Sequence, residues 1–435
     1  MSGHAPLTED EVRSFVDRLV SAPRPREPKA LIGLIAAVED LKAAGAAVQA
    51  EAAVDYDAER RAERAAAGVS ARLQGRGIAH EIALARKESP HRGQTLLGLA
   101  KVLQTELRHT AARLADGSLN EFRAMLVARE TACLEIDHRI AVDEAVCADP
   151  AALVGVGTAE LVGRVKRLAA RLDPGALAKR ARQAETDRKV TVRPAPDTMS
   201  YVTGLLPVAH GVAVFAALGA TADQMRAGGD PRSRAQLMAD VFVARLTAQP
   251  VTGVDTTTGE APPPPVPVAV NVTVPASTLA GGHDAATVSA DGVVPQVVPA
   301  EVARLLISKA ITGGVAAWFR QVYVGPKGRL VGMASKQRHF PPALADFLSL
   351  RGMGICATPW CDAPVRHADH VRPVEQRGPT TERNGQGLCE ACNHAKQAEG
   401  WQQHVVSAHD DRQRVETITP TGHRYTATAP LPLGA

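Results

Sequence analysis

The sequence predicts a mainly α-helical protein with an Ala-rich helical N-terminal region, a short β and Pro-rich connector, and a small cysteine-containing domain near the C-terminus. Hydrophobic residues make up 45% of the 435 positions, but aromatic residues make up only 3%. Alanine has the highest helix propensity, whereas strands are enriched in β-branched and aromatic residues, so this composition favours packed helices. Four of the six cysteines lie between residues 356 and 392, and they define the C-terminal domain.

Residues 1–250 are predicted to form the helical domain. Between residues 28 and 52, apolar side chains recur every three or four positions, which is typical of an amphipathic helix. A dimeric coiled coil is the alternative, but Gly45 interrupts the apolar seam and favours a helix of a bundle. Further helices are predicted over 90–115, 119–145, 157–186 and 230–248, with a short hairpin over 189–207.

One uncharged run, residues 205–222, raises the question of a membrane span. It contains Pro207 and two glycines and is mostly small residues, so a buried helix is the better interpretation. The N-terminus is polar and acidic and has neither the basic nor the apolar region of a signal peptide. We therefore expect a cytoplasmic protein without membrane partners, and the net charge of +4 is a mild indication of an anionic partner.

The composition changes at residues 251–298, which we predict to be a Pro-rich and β linker. It contains a proline run, which excludes helix and central strand. The sequence VAVNVTV then alternates like a strand, and GGHDAATVSADG is typical of a loop. A domain boundary is therefore expected here.

Residues 299–350 are predicted to form a basic hairpin and helix connector. Between residues 302 and 345 there are seven lysines and arginines and no aspartate or glutamate. Such a run is usually only a solvated face, but beside a phosphodiester site it would contact phosphates, and both interpretations stay open. The candidates for phosphate contact are Lys327, Arg329, Lys336 and Arg338.

The cysteines fall into two groups. Two stand alone in helical sequence and are expected to be buried thiols, Cys133 and Cys147. The other four form a C-x4-C pair and a C-x2-C pair, and four thiolates at these spacings suit a tetrahedral structural zinc. Such a site is closed and contributes folding energy rather than catalysis. The predicted zinc ligands are Cys356, Cys361, Cys389 and Cys392.

Around these cysteines the sequence resembles the zinc-braced variant of the HNH endonuclease family. The matching motifs are DHVRP at 369–373, NGQ at 384–386 and LCEAC at 388–392, followed by a polar residue and Lys396. We bound this domain at 351–405 and assign 406–435 to a C-terminal tail. The rest of the chain resembles, more weakly, an actinobacterial group in which a long helical domain of unknown function precedes the HNH domain.

The resemblance implies a ββα-metal finger that hydrolyses phosphodiester bonds in DNA. His370 would be the general base that activates water, and Asn384 would make a hydrogen bond that fixes its orientation. Asp369 would bind one divalent ion, either Mg²⁺ or Mn²⁺, with Ni²⁺ or Zn²⁺ tolerated. Lys396 would contact the phosphate.

The last metal ligand is either Asn393 or His394. The family usually has a histidine directly after the second cysteine of the knuckle, and Asn393 holds that place here. One residue is a rotation of about 100° on a helix, so we favour Asn393 and expect His394 to point elsewhere. His367 is expected to be a surface residue, because it would face the opposite side of the strand from His370.

Other interpretations remain open. A domain that kept the fold but lost cleavage would only bind DNA, and Asn393 in place of histidine keeps this alternative open. A helical scaffold with a zinc-folded tail would instead bind protein. The helical region offers no catalytic triad or phosphate loop, so its role is DNA binding, positioning or formation of a homodimer through the N-terminal helices.

Overall fold

The computed structural model describes residues 6–247, 271–289, 296–312, 334–335, 339–408 and 411–430. These residues confirm the predicted fold class, with helices through the N-terminal part and short strands in the C-terminal part. The predicted basic hairpin lies outside the described residues, so phosphate contact there stays a prediction for Lys327, Arg329, Lys336 and Arg338.

The chain divides into two compact units. The first comprises Met1–Glu59 and Leu96–Ala178, and the second comprises Arg60–Thr95 and Lys179–Ala435. Each unit is therefore built from two separate stretches of sequence. The five predicted domain bounds stay predictions.

Helices dominate the N-terminal part. In chain order they are α1 (Glu9–Ser21), α2 (Pro28–Ala66), α3 (Ala71–Gln74), α4 (Ile78–Ala85), α5 (Pro90–Thr105), α6 (Arg108–Ala115), α7 (Glu121–Thr131), α8 (Ile136–Cys147), α9 (Thr158–Leu172) and α10 (Pro174–Thr186). The helix predicted between residues 28 and 52 is confirmed and continues as α2. The helices predicted over 90–115, 119–145 and 157–186 are each broken into two.

Two of these breaks have identifiable causes. Pro174 begins α10, because a proline cannot continue the hydrogen bonding of a preceding helix but fits the first position of a new one. Before α6, the Asp143 carboxylate accepts hydrogen bonds from the backbone N–H of His109 (2.7 Å) and Thr110 (2.9 Å). These first-turn N–H groups have no partner inside their own helix. The cap comes from α8, so the local sequence pattern cannot reveal it.

The core of the first unit is rich in leucine and valine. Leu107 and Leu161 are among its fully buried members. Cys147 lies in this core, and burial raises the pKa of its thiol to about 11, so it is a neutral, buried thiol as predicted. Cys133 is only half-buried and packs at the edge of the core.

The predicted hairpin follows α10, with β1 (Lys189–Pro194) antiparallel to β2 (Ser200–Leu205), and it is followed by α11 (Val208–Ala227) and α12 (Arg234–Thr247). α11 contains most of the uncharged run, but the prediction that this run is buried is wrong. Val208 is 83% exposed and Phe215 is 65% exposed. The buried positions of α11 are the small residues Gly219 and Ala222, because the helix packs on α12 along a narrow stripe. Among the described residues, no helix combines the length and apolarity that crossing a bilayer requires.

The connector contains a small antiparallel sheet. Its elements are β3 (Asn271–Thr273), α13 (Ala276–Leu279), β4 (Ala286–Ser289), β5 (Gln296–Val298) and α14 (Ala300–Thr312), with strand order β3-β4-β5. Ala286, Val298 and Ala303 form its core. The strand predicted in VAVNVTV is confirmed over its described part. GGHDAATVSADG was predicted to be a loop, and this is wrong at β4. The strand has only four residues in a segment rich in glycine and aspartate, which is too short to show an alternation of apolar and polar residues.

The C-terminal part combines short strands with two helices. They are β6 (Ala334–Ser335), α15 (Pro342–Arg351), β7 (His367–His370), β8 (Thr380–Thr381), β9 (Gly385–Leu388), α16 (Glu390–Lys396), β10 (Gln402–Val405), β11 (Arg414–Ile418) and β12 (Arg424–Thr428). β7 pairs antiparallel with β9 and α16 packs on β7, which gives the expected ββα arrangement. β6 pairs with β8, and β10, β11 and β12 form an antiparallel sheet that includes residues predicted only as a tail.

Candidate metal centre and active site

Four buried cysteines converge next to the ββα hairpin. The Sγ atoms of Cys356, Cys361, Cys389 and Cys392 lie within 4.8 Å of one another. The Sγ atoms of Cys361 and Cys389 are 3.8 Å apart, which matches the roughly 3.8 Å edge of a tetrahedron with Zn–S bonds of about 2.3 Å. Within the described ranges, this is the one group of three or more His, Cys, Asp or Glu ligands close enough to hold a metal ion.

The cluster favours a negatively charged sulfur. Hydrogen bonds from the other three thiols, that from Cys356 foremost, lower the pKa of Cys389. Cys389 also caps the N-terminus of α16, where its sulfur accepts a hydrogen bond from the backbone N–H of Cys392 (3.4 Å). The pKa values of Cys361 and Cys392 are raised by the neighbouring thiols, so the fit to a structural zinc rests on the geometry and the donor chemistry of the four sulfurs.

The β7–β9 pairing sets the positions of the polar residues. His370 lies opposite Gly385, and Asp369 lies opposite Gln386. Gly385 has to be small, because a Cβ atom there would lie 2.6 Å from Cδ1 of Leu348 in α15. α15 therefore lies close to β9, and the end of β7 that pairs with β9 packs against α15.

His370 occupies a largely buried site at the end of β7. Its ring packs on Phe340 with 4.4 Å between ring centroids, and its Nε2 lies 2.9 Å from Oγ1 of Thr380 in β8. Burial is the main cause that lowers the pKa of His370 below the ordinary 6.5, the charge of Lys396 acts in the same direction, and the charge of Asp369 opposes it. The imidazole is therefore neutral near pH 7, which is the form that can accept a proton.

Asn384 holds the loop that follows β7. Its Oδ1 accepts a hydrogen bond from the backbone N–H of Arg372 (2.9 Å), and its Nδ2 donates to the backbone oxygens of Arg372 (3.0 Å) and Pro379 (2.9 Å). All three bonds are made to the backbone and none to the imidazole. Asn384 would therefore orient His370 indirectly, by fixing the position of Thr380. The loop is tight, because a Cβ atom at Gly378 would collide with the Arg372 carbonyl oxygen.

Asp369 pairs with Lys396. The Lys396 ammonium donates to Oδ2 of Asp369 and to the backbone oxygen of His370, and the lysine side chain is 10% exposed. The structure thus places this amine on the predicted metal ligand. Contact between Lys396 and a phosphate stays a prediction.

Asn393 and His394 have different surroundings. Oδ1 of Asn393 is buried and has no hydrogen-bond partner among the described residues, whereas His394 is exposed. A buried amide oxygen without a partner is destabilising, and a bound cation would satisfy it. The Asp369 carboxylate and the Asn393 amide oxygen are hard donors that suit Mg²⁺ or Mn²⁺, so these residues fit a divalent ion.

Sequence reasoning missed Thr380 and Phe340. Thr380 lies ten positions after His370, directly after a loop whose conformation depends on Asn384. Phe340 stands in HFPP, far upstream of the matching motifs. The only indication in the sequence was an aromatic residue just before α15. The spacing between Phe340 and His370 does not predict that their rings are in contact.

The burial of His370 predicts how its ring titrates. By NMR, the imidazole of His370 is expected to titrate below pH 6.5, and Phe340→Ala is expected to raise that pKa because water regains access to the ring. Phe347→Ala, in α15, is the matched control. Since the folded-state pKa lies below the unfolded value, the neutral ring stabilises the fold above about pH 6.5, and this contribution is lost as pH falls through the folded pKa. A His370 pKa at or above 6.5 in the unchanged protein would contradict this account.

Comparison with known families matches two parts of the chain. Residues 35–352 match the family described as a domain of unknown function (DUF222), and residues 356–399 match the family described as HNH endonuclease. No curated protein and no solved structure matches the chain. The second match contains the four cysteines together with the β7–β9 hairpin and α16.

Proposed function

The chain belongs to the family described as a domain of unknown function (DUF222) and carries an HNH endonuclease domain, and from this premise we propose that it hydrolyses phosphodiester bonds in DNA with the help of a divalent ion. One observation carries the proposal. Within the residues that match the HNH endonuclease family, the buried, neutral His370 is held by Thr380 and lies next to Asp369 in sequence.

His370 acts as the general base in this proposal. In this proposal the Nε2–H group of His370 donates a hydrogen bond to Oγ1 of Thr380, so the lone pair that receives the proton of the attacking water would be on Nδ1. Phe340 excludes water from one face of the ring and keeps it neutral. Asn384 keeps the loop before Thr380 in place through Pro379.

Asp369 and Asn393 hold the divalent ion in this proposal. Oδ2 of Asp369 is engaged by Lys396, so the other carboxylate oxygen of Asp369 and Oδ1 of Asn393 would be the donors to the ion. The bound ion would polarise the scissile phosphate and stabilise the leaving oxygen. Oxygen donors favour Mg²⁺ or Mn²⁺, and Ni²⁺ or Zn²⁺ is the alternative. Lys396 would exchange its place on Asp369 for a phosphate oxygen when DNA binds.

Three exposed arginines flank β7 in the sequence. Arg366 lies directly before β7, and Arg372 and Arg377 lie in the loop between β7 and β8. Guanidinium groups bind phosphate oxygens with two parallel hydrogen bonds, so these three arginines would hold the DNA backbone. They complement the predicted contacts of the basic hairpin.

A module of the same fold that binds DNA without cutting it is the second candidate. It is favoured by the Lys396 ammonium on Oδ2 of Asp369, because a fixed cation next to a metal ligand weakens the binding of another cation. A homodimer through the N-terminal helices and a cytoplasmic location also stay predictions. The exposed apolar residues Val12, Phe15 and Val16 of α1 support the dimer.

Plasmid cleavage tests the proposal. Purified full-length protein is incubated with supercoiled plasmid in Mg²⁺, in Mn²⁺ and in EDTA, and DNA affinity is measured at several salt concentrations. Conversion to nicked or linear DNA in Mn²⁺ or Mg²⁺, and none in EDTA, is the expected result. Salt-sensitive binding without cleavage in any metal would support the binding module instead. Affinity for DNA that is weak and independent of salt would rule out both candidates.

A further inference from the structure

A short segment of the DUF222 region lies against the HNH domain within the second unit. The segment comprises α3, the turn at residues 75–77 and α4. The turn is fixed from one side by the buried Arg64, whose Nη1 donates to the backbone oxygens of Gln74 (2.6 Å) and Arg76 (2.7 Å). The side chain of Arg76 is thereby presented to the C-terminal domain.

Arg76 binds the C-terminal end of α16. Its Nε donates to the backbone oxygen of His394 (3.1 Å) and its Nη2 donates to Oε1 of Gln397 (3.0 Å). The last carbonyl oxygens of a helix have no partner within the helix, and a cation there also interacts favourably with the helix dipole. Arg76 therefore serves α16 as a C-terminal cap supplied from 318 positions away in the sequence.

Two further contacts keep the segment in place. Gly77 is the N-cap of α4 and has a φ of +82°, and a Cβ atom there would lie 2.8 Å from Nε1 of Trp401, just after α16. This backbone conformation and close approach both require glycine. One turn along α4, the buried carboxylate of Glu81 accepts hydrogen bonds from the backbone N–H (3.1 Å) and the hydroxyl of Thr421.

The capped helix carries active-site groups on both sides of His394. α16 has only seven residues, and a helix this short does not persist without tertiary contacts. Cys389 fixes its N-terminus to the zinc cluster, and Arg76 fixes its C-terminus. Asn393 and Lys396 lie between these two anchors, so a shift of the C-terminal turn would move both and would take Lys396 away from Asp369 and His370 at the end of β7.

We propose that Arg76 is a positioning residue for the nuclease site, so that a segment of the DUF222 region completes the HNH domain. The inference rests on the proposed function for its catalytic consequence. The placement of α16 and its effect on metal affinity can be measured without any cleavage.

The test compares Arg76→Ala and Arg76→Lys with Arg72→Ala, which removes an exposed arginine of α3 as the matched control. Full-length, zinc-loaded proteins are compared by hydrogen exchange of residues 390–397, by calorimetric titration with Mn²⁺ and by kcat and KM for plasmid nicking. Zinc content and thermal midpoint report on the fold. If Arg76→Ala loses zinc, Arg76→Lys, which keeps the positive charge, is compared with Arg72→Ala and the unchanged protein instead.

For Arg76→Ala we expect faster exchange in α16, Mn²⁺ affinity weaker by about 10-fold and a kcat reduced to a similar degree with KM unchanged. Arg76→Lys should recover part of each loss, and Arg72→Ala should match the unchanged protein. Exchange as slow as in the control, or faster exchange without a change in Mn²⁺ affinity or kcat, would overturn the proposal. If the unchanged protein binds Mn²⁺ but does not nick DNA, the proposed function fails, and the exchange and affinity measurements alone decide the role of Arg76. If it binds no Mn²⁺, both fail.

Discussion

Replacing Cys389 with serine is expected to release zinc and to unfold the C-terminal domain. Cys389 belongs to the four-sulfur cluster and is also the N-cap of α16. Its loss therefore removes a metal ligand and the N-terminal cap of this helix together. Structural zinc binding provides about 10–16 kcal/mol in small domains, which is as large as the whole stability of a typical protein at about 5–15 kcal/mol. The measurements are zinc content per chain by mass spectrometry and a thermal melt followed by circular dichroism.

Cys133→Ser is the matched control for this experiment. Cys133 is a half-buried thiol of the first unit, outside the cluster. That variant is expected to keep its zinc and to melt within a few degrees of the unchanged protein. A Cys389→Ser protein that retained one zinc per chain and an unchanged melt would show that the four sulfurs are not the zinc site.

His370→Ala should abolish plasmid nicking while the protein stays folded and keeps its zinc. A positioned general base contributes about 10²- to 10⁴-fold to a rate, and His370 is the histidine whose ring contacts Thr380. The measurement is the initial rate of nicking in Mn²⁺, with zinc content as the check on the fold. A loss of this size with unchanged DNA affinity would assign His370 to the chemical step.

His367→Ala is the matched control, since His367 lies on the same strand and is exposed. It is expected to cut at a rate within about twofold of the unchanged protein, in keeping with the small effect of exposed substitutions. Cleavage that persists in His370→Ala, or that disappears equally in His367→Ala, would remove His370 from the role of base.

The C-terminal domain was predictable for two reasons. The spacing of the two cysteine pairs predicts a metal site, and the Asp-His and Asn motifs between them resemble the HNH endonuclease family, which implies the ββα arrangement that β7, β9 and α16 form. The surroundings of the site were not predictable in this way. Phe340 and Arg76 reach it through tertiary contacts, and no local period or motif distinguishes them from other residues of their kind.

The helical region shows the same limit. Periodicity predicted helices, but it could not place the break before α6, because the Asp143 carboxylate that caps this helix comes from α8. An uncharged composition likewise does not settle burial. In α11 the small residues Gly219 and Ala222 are buried while Val208 and Phe215 are exposed, so the burial of this helix depends on which neighbours pack against it.

The distance in sequence between Arg76 and α16 has a consequence for biosynthesis. A ribosome adds about 5–20 residues per second, so the 318 positions that separate Arg76 from His394 correspond to roughly 15 to 65 s of synthesis at that rate. The nascent chain therefore carries the cap long before the helix exists. A chain released before residue 397 would hold Arg76 and the turn that presents it, but not the helix end that Arg76 caps.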